Sequence, residues 1–142
     1  FSAMPKLLER AGTRAGKGSI TGLFSVLVEG DDMDEPIADT ARSILDGHIV
    51  LSRKIAQRNH FPPIDILQST SRVMPAVVGR EHRDWAGKVR EWLALYHQVE
   101  DMIQIGAYVK GSNPAVDVAV AMRDRVQAFL RQDVTESSNY AE

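Results

Sequence analysis

The sequence predicts an α/β half followed by an all-helical half. Residues 1 to about 78 alternate short apolar extended runs with short helical stripes, whereas residues from about 79 onward carry helical spacing alone. In the second half Trp85, Val89, Trp92, Tyr96, Val99 and Ile103 recur at intervals of 4, 3, 4, 3 and 4. That is the period of one long amphipathic helix.

The first extended run is Ser19 to Glu29 (SITGLFSVLVE), rich in β-branched and aromatic residues. Ile20, Phe24, Val26 and Val28 fall on one face, with Leu23 and Leu27 on the other. Apolar residues on both faces predict a strand buried on both sides, as in a parallel sheet covered by helices. A polar turn, Gly30 to Glu35, follows. Pro36 opens a helix, because its missing N–H and fixed φ suit the first turn. Ile37, Ala41, Ile44 and Leu45 give that helix an apolar stripe, and Gly47 ends it. His48 to Leu51 reads as a second short strand, and Ser52 to Arg58 as a short helix. Phe61-Pro62-Pro63 stops that helix, since each proline biases the preceding residue away from the helical region. Ile64 to Leu67 reads as another extended segment. In the helical half, Gly111-Ser112-Asn113-Pro114 marks a break and a new start, with Asn113 as N-cap and Pro114 at the first helical position. Val118, Met122, Val126 and Phe129 mark the apolar face of the last helix. From Asp133 the chain turns polar and is expected to fray.

A length of 142 residues suits about one domain, and 44% hydrophobic with 25% charged residues is close to the globular average. The formal net charge of −2 excludes a protein dominated by nucleic-acid phosphate contacts. The absence of cysteine excludes disulfides, thiolate zinc sites and cysteine nucleophiles. No apolar run reaches the ~18–20 residues of a membrane helix, and no signal peptide is visible. The chain begins Phe1-Ser2-Ala3-Met4-Pro5, which reads as the middle of something longer. There is no internal repeat.

Self-contained chemistry is hard to find. Gly12-Thr13-Arg14-Ala15-Gly16-Lys17-Gly18-Ser19 imitates a phosphate loop, but G-x-x-x-x-G-K-[ST] needs four residues between the glycines and a hydroxyl residue after the lysine. Here three residues intervene, Gly18 follows Lys17, and the segment precedes a strand. A loop is the expectation. His48, His60, His82 and His97 show no metal-ligand spacing, so no metal site is expected. The run Asp31, Asp32, Asp34, Glu35 lacks the glycine position of an EF-hand and reads as a solvated turn or a partner contact. The aromatic stripe of the long helix reads as core.

Several stretches, in collinear order, resemble the C-terminal third of the type III secretion ATPases, the group that includes the flagellum-specific export ATPase. They are Leu7 to Gly12, Gly18-Ser19-Ile20-Thr21, Val26 to Met33 (VLVEGDDM), Glu35 to Asp39, Ser43 to Arg53 (SILDGHIVLSR), Ser69 to Met74 (STSRVM) and Ile105 to Pro114 (IGAYVKGSNP). The Gly-Ser-Ile-Thr and Ser-Arg-Val-Met stretches are shared with catalytic subunits of rotary ATP synthases. Val28 to Met33 and Ile105 to Ser112 look like the secretion branch instead.

The resemblance implies the C-terminal part of a RecA-like ATPase core in residues 1–78 and a helical C-terminal domain in residues 79–142. It implies a homo-hexameric ring that hydrolyses ATP with Mg2+ at subunit interfaces, in the cytoplasm and peripheral to the inner membrane. It also implies a central stalk partner, a peripheral regulator, export chaperones and cargo, and a membrane export gate. The family's P-loop, catalytic carboxylate and magnesium ligands lie upstream of Phe1, so this chain alone is expected to be inactive and to hold no nucleotide tightly. By the same resemblance Phe61 matches the aromatic that stacks on adenine within one subunit. Arg72 matches the arginine finger that reaches a neighbour's nucleotide, with Arg53 as the competitor for that role. Asp31, Asp32 and Asp34 match a channel-facing loop that touches the stalk, and the Lys110 loop a stalk-contacting lever. Flagellar export is the preferred reading. The alternatives are virulence-associated secretion, a rotary ATP synthase catalytic subunit (against which the Gly106 to Pro114 stretch argues) and a non-enzymatic interaction domain.

Overall fold

The computed structural model describes residues 3–13, 15–16 and 18–139, with Asp31 by its backbone alone. The chain divides into two compact units, residues 1–48 and 49–142.

In the first unit, α1 (Ala3–Leu8) packs on α2 (Pro36–Ile44). Leu8 of α1 is buried, as are Ala38 and Ala41, three residues apart on α2. Small residues at the contact let the two helices approach closely. Pro36 stands at the start of α2 as expected, and Thr40 Oγ1 donates back to the Pro36 carbonyl at 2.6 Å. The expected stripe is rotated, because Ile37 is exposed while Ala38 is buried. Between the helices, β1 (Gly12–Thr13) pairs antiparallel with β2 (Ser19–Ile20), in the register Gly12↔Ile20 and Thr13↔Ser19. The glycine-rich segment thus closes a small hairpin, although its Arg14 and Lys17 lie outside the described residues.

The long strand expected over Ser19 to Glu29 is not formed beyond Ile20. Residues 21–28 have no regular structure, and Leu23 and Leu27 are 93% and 92% exposed. A segment apolar on both faces is stable as a strand only between neighbouring strands and under helices. Among the described residues nothing pairs with it beyond Ile20. A single 3-10 turn at Glu29–Asp31 follows, with Gly30 at φ 64°, a left-handed conformation that favours glycine.

In the second unit, β3 (Gly47–Leu51) and β4 (Ile64–Ser71) form a two-stranded sheet, with α3 (Arg53–Gln57) between them in sequence. Ser52 caps α3 by accepting the Ile55 N–H, and its own N–H donates to the Pro63 carbonyl at 2.8 Å. A short α4 (Met74–Val77) leads to α5 (Arg80–Gln104) and α6 (Pro114–Leu130), whose mutual packing dominates the unit. Asn113 caps α6, its Oδ1 accepting the N–H groups of Ala115 and Val116, and Pro114 is the first helical residue, as the sequence predicts. The buried face of α6 is Val116, Ala119 and Val126. Val118 and Phe129 were expected on that face but point outward, at 48% and 80% exposed. Ala119, the most buried residue of this face, is small enough for a close helix approach. On α5 the stripe from Val89 to Ile103 is half-buried, no residue of the helix is fully buried, and Trp85, near the helix start, is exposed, so the stripe read as core is only partly covered.

Candidate nucleotide-contact residues

Phe61 follows α3 and its turn, and precedes β4. It is half exposed, and its backbone is held from two sides. The preceding His60 is buried and donates from Nδ1 to Gln127 Oε1 on α6 at 2.8 Å. The Phe61 carbonyl accepts the N–H of Gln132, just beyond α6, at 3.0 Å. The chain is thus tied back just before the polar tail, and within the tail the Asp133 N–H donates to Glu136 Oε2 at 3.1 Å. Asp133 also accepts from the Thr135 hydroxyl and N–H, which hold its carboxyl below the usual carboxylate range. Tyr140 to Glu142 lie outside the described residues.

Arg72 is the first residue after β4, exposed on the turn into α4. The turn is fixed by Ser71, whose Oγ accepts the Met74 N–H at 3.2 Å. Phe61 and Arg72 are not brought together. They flank opposite ends of the eight-residue strand β4. Arg53, the competitor for the finger role, is the first residue of α3 and is also exposed.

The acidic turn lies in the other compact unit. Asp32 Oδ1 accepts the Asp34 N–H at 3.0 Å, which curls the turn. Asp34, almost fully exposed, pairs with Arg42 at 3.2 Å, and Asp39 shares that guanidinium at 3.3 Å. The side chain of Asp31 lies outside the described residues.

Lys110 is exposed on the loop between α5 and α6 and lines a cavity of ≈ 270 Å³ with Ile103, Tyr108, Asp117 and Val120. The loop is pinned by Asp117, from the first turn of α6. Its Oδ1 accepts the Tyr108 hydroxyl at 2.8 Å and its Oδ2 the Gly111 N–H at 2.9 Å. Gly111 sits at φ 91°, where a side chain would be strained. Partial burial raises the Tyr108 phenol above its ordinary value, the Asp117 bond and charge add to this, and Ser112 opposes it. Sequence reading missed Asp117, although an acidic residue in the first turn after an Asn-Pro cap was the available signal. It also missed Gln127, Gln132 and Arg90, whose partners lie far away in sequence.

Among the described residues no group of three or more His, Asp or Glu side chains could hold a metal ion. No helix among them is long and apolar enough to cross a membrane.

Residues 1–71 match the ATP synthase alpha/beta family, nucleotide-binding domain, and residues 78–142 match the T3SS EscN ATPase C-terminal domain. The chain is 52% identical over 136 residues to the flagellum-specific ATP synthase of Treponema pallidum, covering 96% of this chain and 30% of that protein. It is 53% identical over 136 residues to the SPI-2 type 3 secretion system ATPase of Salmonella typhimurium, covering 96% and 31%. The assembled ATPase EscN from the enteropathogenic E. coli type III secretion system superposes with a TM-score of 0.93 at 49% identity, over 99% of this chain and 34% of that one. EscN in complex with its central stalk EscO gives 0.87 at 48% identity, over 99% and 33%. The chain thus spans about 30% of the length of the curated relatives it matches. It belongs to the ATP synthase alpha/beta family, in the branch whose C-terminal domain is that of the type III secretion ATPases.

Proposed function

We propose that this chain is a segment of an ATP-hydrolysing export ATPase that energises type III protein export, unfolding cargo and releasing chaperones at a membrane export gate. Residues 1–78 belong to its RecA-like core and residues 79–142 to its helical domain. The observation that carries the proposal is the separation of Phe61 and Arg72 along β4. In a ring of copies, Phe61 of one chain and Arg72 of its neighbour can meet at one nucleotide. Phe61 offers its ring to the adenine bound in its own subunit. Arg72 presents a planar, permanently charged fork to the γ-phosphate of the neighbour's nucleotide. As water displaces the leaving diphosphate, the guanidinium stabilises the charge that builds on the transferred group. The assembled state of EscN supports a homo-hexamer, and its complex with EscO supports a stalk partner. Asp32, Asp34, Asp31 and Lys110 are the stalk-facing groups in this reading.

In this reading magnesium and the phosphate loop are supplied by parts of the ATPase outside these residues, as the resemblance to the type III secretion ATPases implies. The proposed position is the cytoplasmic face of the inner membrane, peripheral to the export apparatus. The flagellar and virulence relatives match at 52% and 53%, so the proposed activity is the one common to both branches. The test is Arg72→Ala in the full-length ATPase. It should still bind ATP and form rings, with turnover lower by roughly 10³–10⁵. Arg72→Lys should recover little, because an ammonium lacks the fork. Turnover within about tenfold of the parent would refute the role.

A further inference from the structure

Arg90, on α5, grips the middle of the strand that ends at Arg72. Its Nη1 donates to the carbonyls of Ile66 at 2.7 Å and Ser69 at 3.1 Å, and its Nη2 to that of Leu67 at 3.2 Å. Successive carbonyls of a flat strand face opposite sides, yet both Ile66 and Leu67 reach one guanidinium. The strand therefore leaves the flat pleat here. Its displaced N–H groups are met from within: Asp65 Oδ1 accepts those of Leu67 and Gln68, both at 3.0 Å. Ser69 Oγ donates to the Asp65 carbonyl at 2.6 Å and accepts the Val50 N–H from β3 at 3.0 Å. Asp65 thus takes the donors of the distorted stretch and Arg90 its acceptors. Only a guanidinium spreads five donors over a rigid plane, which suits several separate carbonyls.

The last carbonyl held, Ser69, lies three residues before Arg72. We infer that Arg90 is a positioning residue for the Arg72 finger: it locks the backbone of β4 to the long helix, so the finger leaves the strand in one direction. This rests on the trans role of Arg72 proposed above. The hydrogen bonds of the Arg90 guanidinium go to carbonyls of β4. Its loss should therefore misplace the finger while the subunit's own adenine contact at Phe61, secured by Gln127 and Gln132, stays in place.

The experiment is a double-mutant cycle in the full-length ATPase, using parent, Arg72→Ala, Arg90→Ala and the double variant, with Arg90→Lys as the conservative change. Arg90→Ala should lower kcat by about 10–10²-fold, the scale of an ångström-level misplacement. Ring assembly should persist and KM for ATP should stay within about twofold. In the Arg72→Ala background the same change should cost less than about twofold, because no finger remains to misplace. Arg90→Lys should lie between, since one nitrogen meets the separate carbonyls poorly. Unchanged kcat in Arg90→Ala, an equal loss in both backgrounds, or loss of rings would overturn the positioning role. Full activity of Arg72→Ala would overturn the finger itself, and the positioning role with it.

Discussion

Phe61 presents a ring on a backbone tied to α6 through its own carbonyl and through His60. A ring held this way loses little freedom when a base stacks on it. In the full-length enzyme Phe61→Ala should weaken adenine nucleotides by roughly 1–3 kcal/mol, the range for base–aromatic stacking. Phe61→Tyr keeps the face and should be near neutral. Turnover at saturating ATP should change little for stacking that is equal in ground and transition states. Fluorescent-nucleotide titration checks this, and unchanged affinity in Phe61→Ala would return the residue to a packing role. At this scale the sequence was informative where chemistry is local. Asn113 and Pro114 sit where their cap and φ preferences put them. It was silent where partners are distant. Arg90 reads as one more charge on a helix, and its carbonyl partners lie 21 to 24 residues earlier.

Among the elements, α6 depends on its cap, which meets two of the helix's open N–H groups. Asn113→Ala should destabilise the helical unit by about 1 kcal/mol, read from chemical unfolding followed by circular dichroism. An unaltered midpoint would mean that α5 packing alone holds the helix start. The acidic turn belongs at this scale too. Replacing Asp31, Asp32 and Asp34 by asparagine should leave basal hydrolysis intact and weaken activation by the stalk subunit. The loss should be greatest at low salt, because exposed charges beyond ~8–10 Å are screened near physiological ionic strength. Equal activation of variant and parent across a salt series would make the turn merely solvated. The Arg42 pair with Asp34 already offsets part of this charge, so Asp34→Asn alone should have a small effect. Helix periods were legible because they repeat over many residues, as in α5 and α6. The strand at Ser19 to Glu29 was read correctly as apolar on both faces. It does not form beyond Ile20, because strand pairing is non-local and among the described residues nothing pairs with it there.

At the scale of the whole molecule, Leu23 and Leu27 are apolar side chains left almost fully exposed. The 142-residue chain by itself should self-associate through them. It should also show no binding of magnesium-ATP at micromolar nucleotide by calorimetric titration, since in the proposed reading Phe61 and Arg72 serve different nucleotides and the phosphate-gripping loop is not among these residues. Micromolar affinity would point to the Gly12–Ser19 hairpin as an overlooked phosphate site. The central claim is that catalysis is shared between subunits, and mixed rings test it most directly. A full-length subunit with a disabled P-loop but intact Arg72 is combined with Arg72→Ala subunits, and subunit exchange is verified independently. Each lacks what the other supplies at a shared interface, so hydrolysis well above that of either protein alone should appear. If exchange is complete and hydrolysis stays at the level of the separate variants, Arg72 does not act across the interface, and Arg53 becomes the residue to replace.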